Sequence, residues 1–519
     1  MTLLLSPSLG YTSLMSLTEI RTIRIAKAQK LRDMGIDPYP SKSYKEYSNN
    51  EIISKFTEFD QKKVTLAGRL MSWREHGKLI FGHLSDESGK IQIFIQEAVL
   101  DKTNVEKGTL GFADLSLVDI GDFIEVYGQI TRTSRGEISI VPETLRILTK
   151  AIRPLPEKWE GITDQETIYR KRYLDLIMNP ARRDLFKRKS AFWEANRSFL
   201  TSKGFLEVEA PVMEHVTGGA DARPFVTHHN ALDEDFYLRI STELPQKRLI
   251  GGGFEKVYTL APNFRNEGID DEHLQEYYQV EWYWAYADYK DNMELVKDMF
   301  RYVANKVYGK TQFTKGDHTF DLADEWKEID YAESIKSHLG IDIETSTDED
   351  MMKVLLTHKV HLDGAVNRNR LVDNCWKLVR KTIAGPAFLI NEPKFMSPLA
   401  KSKPETPELT ERFHVILAGT ELGNGYSELN DPLDQYERFL SQQKAREAGD
   451  DEAQMMDIDF VEMLEYGMPP VSGYGHSERV FWFLENVGAR EATLFPQMKK
   501  LVDPSIEEIY PEFHKLLKK

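Results

Sequence analysis

Four short arrays in this chain carry side chains of the types and spacing that chemistry requires. Phe264-Arg265-Asn266-Glu267 sets a cation and an anion two residues apart. Glu281 and Tyr283 stand at the same interval within an aromatic run. Arg412 to Glu428 reads as a strand ending in a glycine-rich turn that bears Glu421, Asn424 and Glu428. Pro469 to Phe483 passes from a Pro/Gly turn into a helix, with Arg479 near its start. A buried cation there opposes the helix dipole, so something anionic should compensate it. No covalent nucleophile stands out, and the chemistry on offer is the recognition of charge.

The elements that must position these groups follow from periodicity. In the stretch from Leu260 to Tyr289, Val280, Trp282 and Trp284 alternate with Gln279, Glu281 and Tyr283, which predicts a strand with one aromatic and one polar face. Lys256 to Glu267 carries strand-like residues too, so the stretch reads as two antiparallel strands joined by an acidic, His-bearing loop. Arg265, Glu267, Glu281 and Tyr283 would then floor a pocket. A solvated face on an amphipathic hairpin is the plainer reading, and these residues alone leave both open.

Upstream, Thr18 to Met34 predicts a helix with Arg21, Arg24, Lys27 and Lys30 along one side, either a solvated face or a contact for a phosphate backbone. Val64 to Leu148 holds five short strands with Gly-bearing turns, which predicts a small closed barrel of the OB type. Phe81, Phe94 and Arg74 lie on or beside its strands and could stack unpaired bases. Ala151 to Thr163 is a Pro-rich linker. Asp184 to Lys203 and Asp291 to Tyr308 read as amphipathic helices, and Tyr237 to Glu243 as a strand. Residues 310–385 read as an ordinary α/β excursion without chemistry. The expected divisions are residues 1–60, a barrel at 61–150, a linker at 151–180 and a large domain at 181–519.

With 519 residues the chain should hold two or three domains. Its single cysteine, Cys375, excludes a disulfide framework and points to a reducing cytosol. The net charge of −16 argues against general coating of nucleic acid, though not against a local basic face. Met1 to Leu17 is broken by Pro7 and Gly10 and is too short to span a bilayer. Met15 begins a more ordinary N-terminus.

Together the pieces resemble the bacterial class II lysyl-tRNA synthetases from about residue 19 onward. The resemblance rests on GGADARPFVTHHNALDEDFYLRISTEL (218–244), FRNEG (264–268), VEWYWAYADY (280–289), GTELGNGYSELNDP (419–432), AGDDEA (448–453), EYGMPP (465–470) and LFPQMK (494–499). It implies an α+β fold: an N-terminal OB-fold barrel that reads the anticodon, and a catalytic domain built on an antiparallel sheet flanked by helices. It further implies a cytoplasmic homodimer that joins L-lysine to tRNA(Lys) with ATP and Mg²⁺. Family roles carried onto this chain put Arg265 on the ATP α-phosphate and Arg479 on the γ-phosphate, with Glu267 the third catalytic group. Asn266, Glu267, His273 and Tyr277 complete the nucleotide site, and Glu421 binds the metal. Glu243 takes the lysine α-ammonium. Glu281, Tyr283 and Glu428 surround the ε-ammonium, and Gly219 and Asn424 help to hold the amino acid. Arg74, Phe81, Gln92 and Glu137 fall at anticodon-reading positions.

Three departures accompany the match. His414 stands where the family has a second carboxylate on the metal, and imidazole is a poor Mg²⁺ ligand. The loop 270–276 lacks the Arg and the Asn-Pro common in the family. The run Gly473 to Arg479 is about one residue short and ends Glu-Arg where Asp-Arg is usual. Two other readings share this sequence. An aspartyl or asparaginyl relative has the same architecture, but its pocket would want a cation or an amide. A catalytically weak tRNA-binding or regulatory paralogue draws support only from the departures.

Overall fold

The computed structural model describes residues 15–156, 164–268, 270, 273–360, 368–447, 453–501 and 503–513. The residues before Met15, the end of the linker, positions 269, 271 and 272 of the acidic loop, and the AGDDEA run up to residue 452 lie outside the described residues. The chain divides into two units, residues 1–164 with 499–519, and residues 165–498.

In the first unit, helix α1 (Leu17–Asp33) opens on a capping box: the Ser16 hydroxyl accepts the Glu19 N–H, and the Glu19 carboxylate accepts the Ser16 N–H at 2.7 Å. Its basic stripe is mostly consumed inside the unit. Arg24 is buried and donates to the carbonyls of Ala151 and Arg153, Lys27 pairs with Asp119 at 2.7 Å, and Arg21 lies over the Tyr510 ring. Arg24, being buried, therefore does not belong to a solvated face.

Among the described residues five strands close a barrel: β1 (Lys63–His76), β2 (Leu79–Ser85), β3 (Lys90–Gln96), β4 (Phe123–Arg132) and β5 (Ile138–Thr149), in the order β1-β2-β3-β5-β4. Their two-residue alternation turns Ile80, Leu84, Ile91, Ile93 and Ile95 inward. Leu31, Ile36, Ile52 and Phe59 join that same core. Side chains from the chain before the first barrel strand thus help to fill the barrel's core.

The second unit is built on a sheet of eight strands among the described residues: β6 (Leu206–Glu207), β7 (Lys256–Phe264), β8 (Glu276–Ala285), β9 (Lys327–Asp330), β10 (Ala387–Ile390), β11 (Arg412–Leu417), β12 (Thr420–Ser427) and β13 (Val471–Ser477). Their order is β9-β10-β11-β12-β13-β8-β7-β6. The six central strands run antiparallel and the two edge strands, β6 and β9, pair parallel. One face is sealed by helices α2 (Pro180–Ser202) and α4 (Tyr289–Tyr308), whose Phe192, Phe199, Val296, Met299 and Phe300 pack with Trp282, Tyr258 and Tyr474 of the sheet. That burial fixes the register of β8, because a slip by one residue would send Trp282 to the polar side and Glu281 into the core.

Two local readings change. Tyr237 to Glu243 is not one strand: a short strand ends at Leu238, and Glu243 is the first residue of helix α3 (Glu243–Gly251). Pro245 falls in that helix's first turn, where its missing N–H costs nothing. Likewise β7 stops at Phe264, so Arg265 and Glu267 stand beyond the strand. Their turn is held by Arg265 N–H to the Gln275 carbonyl and Asn266 N–H to the Arg223 carbonyl, at 2.9 and 2.7 Å.

Candidate functional site

A cavity of about 490 Å³ opens on the polar face of the sheet. It brings together Gly219, Glu243, Arg265, Glu267, His273, Tyr277, Glu281, Tyr283, His414, Glu421, Asn424, Glu428 and Arg479. Asn266 is exposed and is not part of the lining. Groups spread over more than 250 positions of chain thus meet around one cavity, which no sequence-local feature specifies.

One end is acidic. Glu281 sits on β8 opposite Gly475 of β13, and its carboxylate accepts from Tyr283 OH at 2.6 Å, Gln279 Nε2 at 3.0 Å and Thr242 OH at 3.1 Å. Burial, with the charge of Glu243 beside it, pushes Glu281 up to about 7 against the pull of those donors. Glu243, at the start of α3, accepts from Tyr426 OH at 2.7 Å. Glu428 follows β12, is 2 % exposed and is raised well above the usual carboxyl range, chiefly by burial. Space for these groups depends on glycine. A Cβ on Gly473 would lie 2.5 Å from Glu428 Oε1 and 2.5 Å from the Tyr283 ring, and one on Gly219, whose φ is +84°, would lie 2.7 Å from the Glu243 Cβ.

A carboxyl raised to about 7 must give up its proton to pair with an ammonium guest. The bound state then holds fewer protons than the free state, so binding strengthens as pH rises through the free-state value. For an ammonium ligand at this end, apparent affinity is expected to improve between about pH 6 and pH 8, by at most about tenfold per pH unit for one proton. A flat titration over that range by calorimetry would remove Glu281 from the binding step.

The other end is cationic. Arg265 lies 5.4 Å over the Tyr277 ring, and its Nε is buried with no hydrogen-bond partner among the described residues. A buried donor without an acceptor is costly and calls for an anion. Arg479 begins helix α5 (Arg479–Glu485), its N–H donating to Ser477 Oγ at 3.2 Å. The unusual acid before it, Glu478, is 2 % exposed, pairs with Lys189 of α2 and accepts from the Tyr278 N–H, so it ties the turn to its neighbours. His273 pairs with Asp270 of the altered loop at 2.7 Å and is half exposed.

A third cluster reaches the same cavity through His414 and Glu421. Glu421 accepts from the Trp376 indole at 2.6 Å and faces Arg380 at 3.2 Å. His414 stands between carboxylates, with Nε2 3.2 Å from Glu392 and Nδ1 3.8 Å from Glu421. Although burial opposes it, the Arg412 guanidinium and His414 hold Glu392 at about 2. Among the described residues no three or more His, Cys, Asp or Glu side chains converge as a metal cage. Glu421 therefore offers a hard cation one carboxylate, which suits Mg²⁺ carried by phosphates and water better than an all-protein site.

Several of these residues were silent in the sequence. Trp376 and Arg380 come from the 310–385 excursion that was read as having no chemistry. Neither lines the cavity, and both reach it only through Glu421, by the indole hydrogen bond and the guanidinium pairing. Glu392, Arg412 and Tyr426 also escaped, and so did Lys247, whose ammonium joins Glu243 and Glu428 from beneath. Only Lys247 carried a signal, its i,i+4 spacing from Glu243 on an amphipathic helix.

In the barrel, Arg74 and Phe81 are register partners on β1 and β2. The Phe81 ring stacks on Phe94 with centroids 4.7 Å apart. Gln92 Nε2 donates to Glu137 Oε2 at 2.6 Å, and His83 Nε2 lies 3.2 Å from Glu137 Oε1. The four expected residues thus sit on the barrel's outward side, Arg74 beside Phe81 in the strand register and Gln92 with Glu137 in a polar chain that His83 extends.

Residues 164–499 match the family described as tRNA synthetases class II (D, K and N), and residues 64–148 match the OB-fold nucleic acid binding domain. The chain is 45 % identical over 491 residues to the lysine–tRNA ligase of Thermotoga maritima, covering 93 % of this chain and 96 % of that one. It is 43 % identical over 493 residues to that of Thermosipho africanus, covering 93 % and 97 %, and 43 % identical over 492 residues to that of Roseiflexus sp., covering 93 % and 99 %. Identity of that degree over nearly the whole of both chains, with an OB barrel in one unit and a charge-lined cavity on an antiparallel sheet in the other, places this protein in the lysine–tRNA ligase family of class II tRNA synthetases.

Proposed function

We propose that the chain activates L-lysine with ATP and transfers the lysyl group to the 3′ end of tRNA(Lys). The observation that carries this reading is the convergence of Glu243, Glu281 and Glu428 in one cavity with Arg265 and Arg479. Lysine brings two ammonium groups and one carboxylate, so it suits a cavity acidic at one end and cationic at the other. Glu243 takes the α-ammonium. Glu428 and Glu281, with Tyr283 donating to Glu281, take the ε-ammonium. Gly219 and Asn424 border the amino acid.

Activation joins a lysine carboxylate oxygen to the α-phosphorus of ATP as the bond to pyrophosphate breaks. No proton moves in that step, so catalysis is positioning and charge stabilisation. Arg265 faces the α-phosphate, Tyr277 stacks on the adenine, and Arg479 meets the γ-phosphate. Glu267, Asn266 and His273 hold the rest of the nucleotide. Glu421 would hold Mg²⁺, with His414 at most an outer contact, and the ion would supply neutralisation of phosphate charge. The tRNA 3′-terminal hydroxyl then attacks the lysyl carbonyl, the bond from that carbon to the AMP phosphate oxygen breaks, and AMP leaves as the hydroxyl proton is released to its phosphate or to water.

Arg74, Phe81, Gln92 and Glu137 read the anticodon, with Phe81 offering a stacking platform. The enzyme acts as a homodimer in the cytoplasm. In support, the family resemblance implies both, and the single cysteine, Cys375, suits a reducing compartment. The barrel also separates this chain from relatives of the catalytic domain that lack one.

The deciding experiment is ATP–pyrophosphate exchange with lysine, ornithine, arginine and aspartate in turn. Exchange is expected with lysine above all others, because a carboxylate pair left facing a shorter or uncharged side chain is unsatisfied. Exchange with aspartate would reassign the pocket, and none with any amino acid would leave only a tRNA-binding role.

A further inference from the structure

Lys247 lies behind the wall of the acidic end. It is wholly buried, sits on α3 one turn after Glu243, and is not part of the cavity lining. Its Nζ is 2.5 Å from Glu243 Oε1 and is paired with Glu428 Oε2. The rings of Tyr426 and Tyr283 lie 5.6 and 6.0 Å from that nitrogen. One internal ammonium thus bridges the two carboxylates that the proposed function gives to opposite ends of lysine.

A buried charge with no counter-charge is expensive. Three carboxylates with no cation among them would hold protons and lose their grip on an ammonium. Burial does work against the ammonium form of Lys247, yet Glu243 and Glu428 outweigh it and raise the group above its ordinary value. It therefore stays charged while Glu281 and Glu428 are raised. With all three acids ionised, the cluster including Lys247 carries a double negative charge, the complement of a guest with two ammonium groups. Glu428 Oε1 has no hydrogen-bond partner among the described residues, which leaves it for the guest.

We propose that Lys247 is a positioning and specificity-determining residue: from behind the cavity it clamps Glu243 and Glu428 at fixed spacing and sets the charge of the pocket to match a diammonium substrate. This rests on the lysine reading of the pocket and adds a role for a group that never touches the substrate. The clamp acts before the guest arrives, so the two carboxylates need not reorganise when lysine binds.

The test compares Lys247→Met, Lys247→Gln and Lys247→Arg with the wild-type enzyme in lysine-dependent ATP–pyrophosphate exchange, fitting KM for each substrate. The neutral variants are expected to raise KM for lysine by roughly tenfold or more while KM for ATP changes by less than about twofold. Lys247→Arg, which keeps the charge, should recover part of the loss. Lys247→Gln keeps a donor between the two acids, so it carries the test if Lys247→Met does not fold. A folded neutral variant with unchanged KM for lysine, or one whose KM for both substrates rises equally, overturns the clamp and leaves Lys247 a structural residue. Failure of the lysine reading itself looks different, because the wild-type enzyme would then show no lysine-dependent exchange at all.

Discussion

Glu428→Gln is expected to abolish most lysine activation while leaving ATP binding nearly intact. The substitution keeps shape and removes one negative charge from a site 2 % exposed. Losing one partner of a buried, hydrogen-bonded charge pair costs about 2–5 kcal/mol, which is roughly thirtyfold to several thousandfold in affinity. Two cations lose that partner, the incoming ε-ammonium and Lys247, and the second still has Glu243 at 2.5 Å. The fold should therefore survive, with a lower melting temperature as its signature. Arg265, Tyr277 and Arg479 mark the other end of the cavity, and effects at separate sites are close to additive. Lysine KM from exchange and ATP Kd from calorimetry decide the matter. Comparable losses in both would mean that Glu428 supports the whole cavity and is not a lysine ligand.

Arg265→Met should be the mirror case. Methionine keeps much of the aliphatic stem and removes the guanidinium that lies over the Tyr277 ring. The buried Arg265 Nε has no acceptor among the described residues, so the side chain awaits an anion. If that anion is the α-phosphate, its charge grows as pyrophosphate departs, and a preorganised donor there acts mainly on the transition state. The expected loss is roughly 10²- to 10³-fold in kcat for exchange, the size seen when one oxyanion donor is removed. KM for lysine should move little. An unchanged kcat with a raised KM for ATP would restrict Arg265 to ground-state binding.

How far the sequence reached depended on how local each feature was. The alternation Val280-Trp282-Trp284 against Gln279-Glu281-Tyr283 predicted both the strand and its polar face, because side chains of a strand alternate whatever surrounds them. The five barrel strands were legible for the same reason. Glu243 was assigned to a strand because Tyr237 to Ile240 looks extended, while the helix that begins at Glu243 draws its stability from packing Leu244 and Ile250 against Val257 and Tyr283. Arg265 and Glu267 lie past the strand end and still line the cavity, so the right outcome came from a wrong local geometry.

The sequence by itself determined the family, the two fold types and the identity of the charged groups, since these rest on residue order and on two-residue periodicity. Only the tertiary structure decided how those charges are balanced. The Lys247 bridge from Glu243 to Glu428 spans 181 positions from the helix to its second acid. The bonds of Trp376 and Arg380 to Glu421, and the place of His414 between Glu392 and Glu421, also join separate strands and helices. A buried charge is stabilised by whatever the fold brings within a few ångströms of it, and that distance is set by the packing of the sheet.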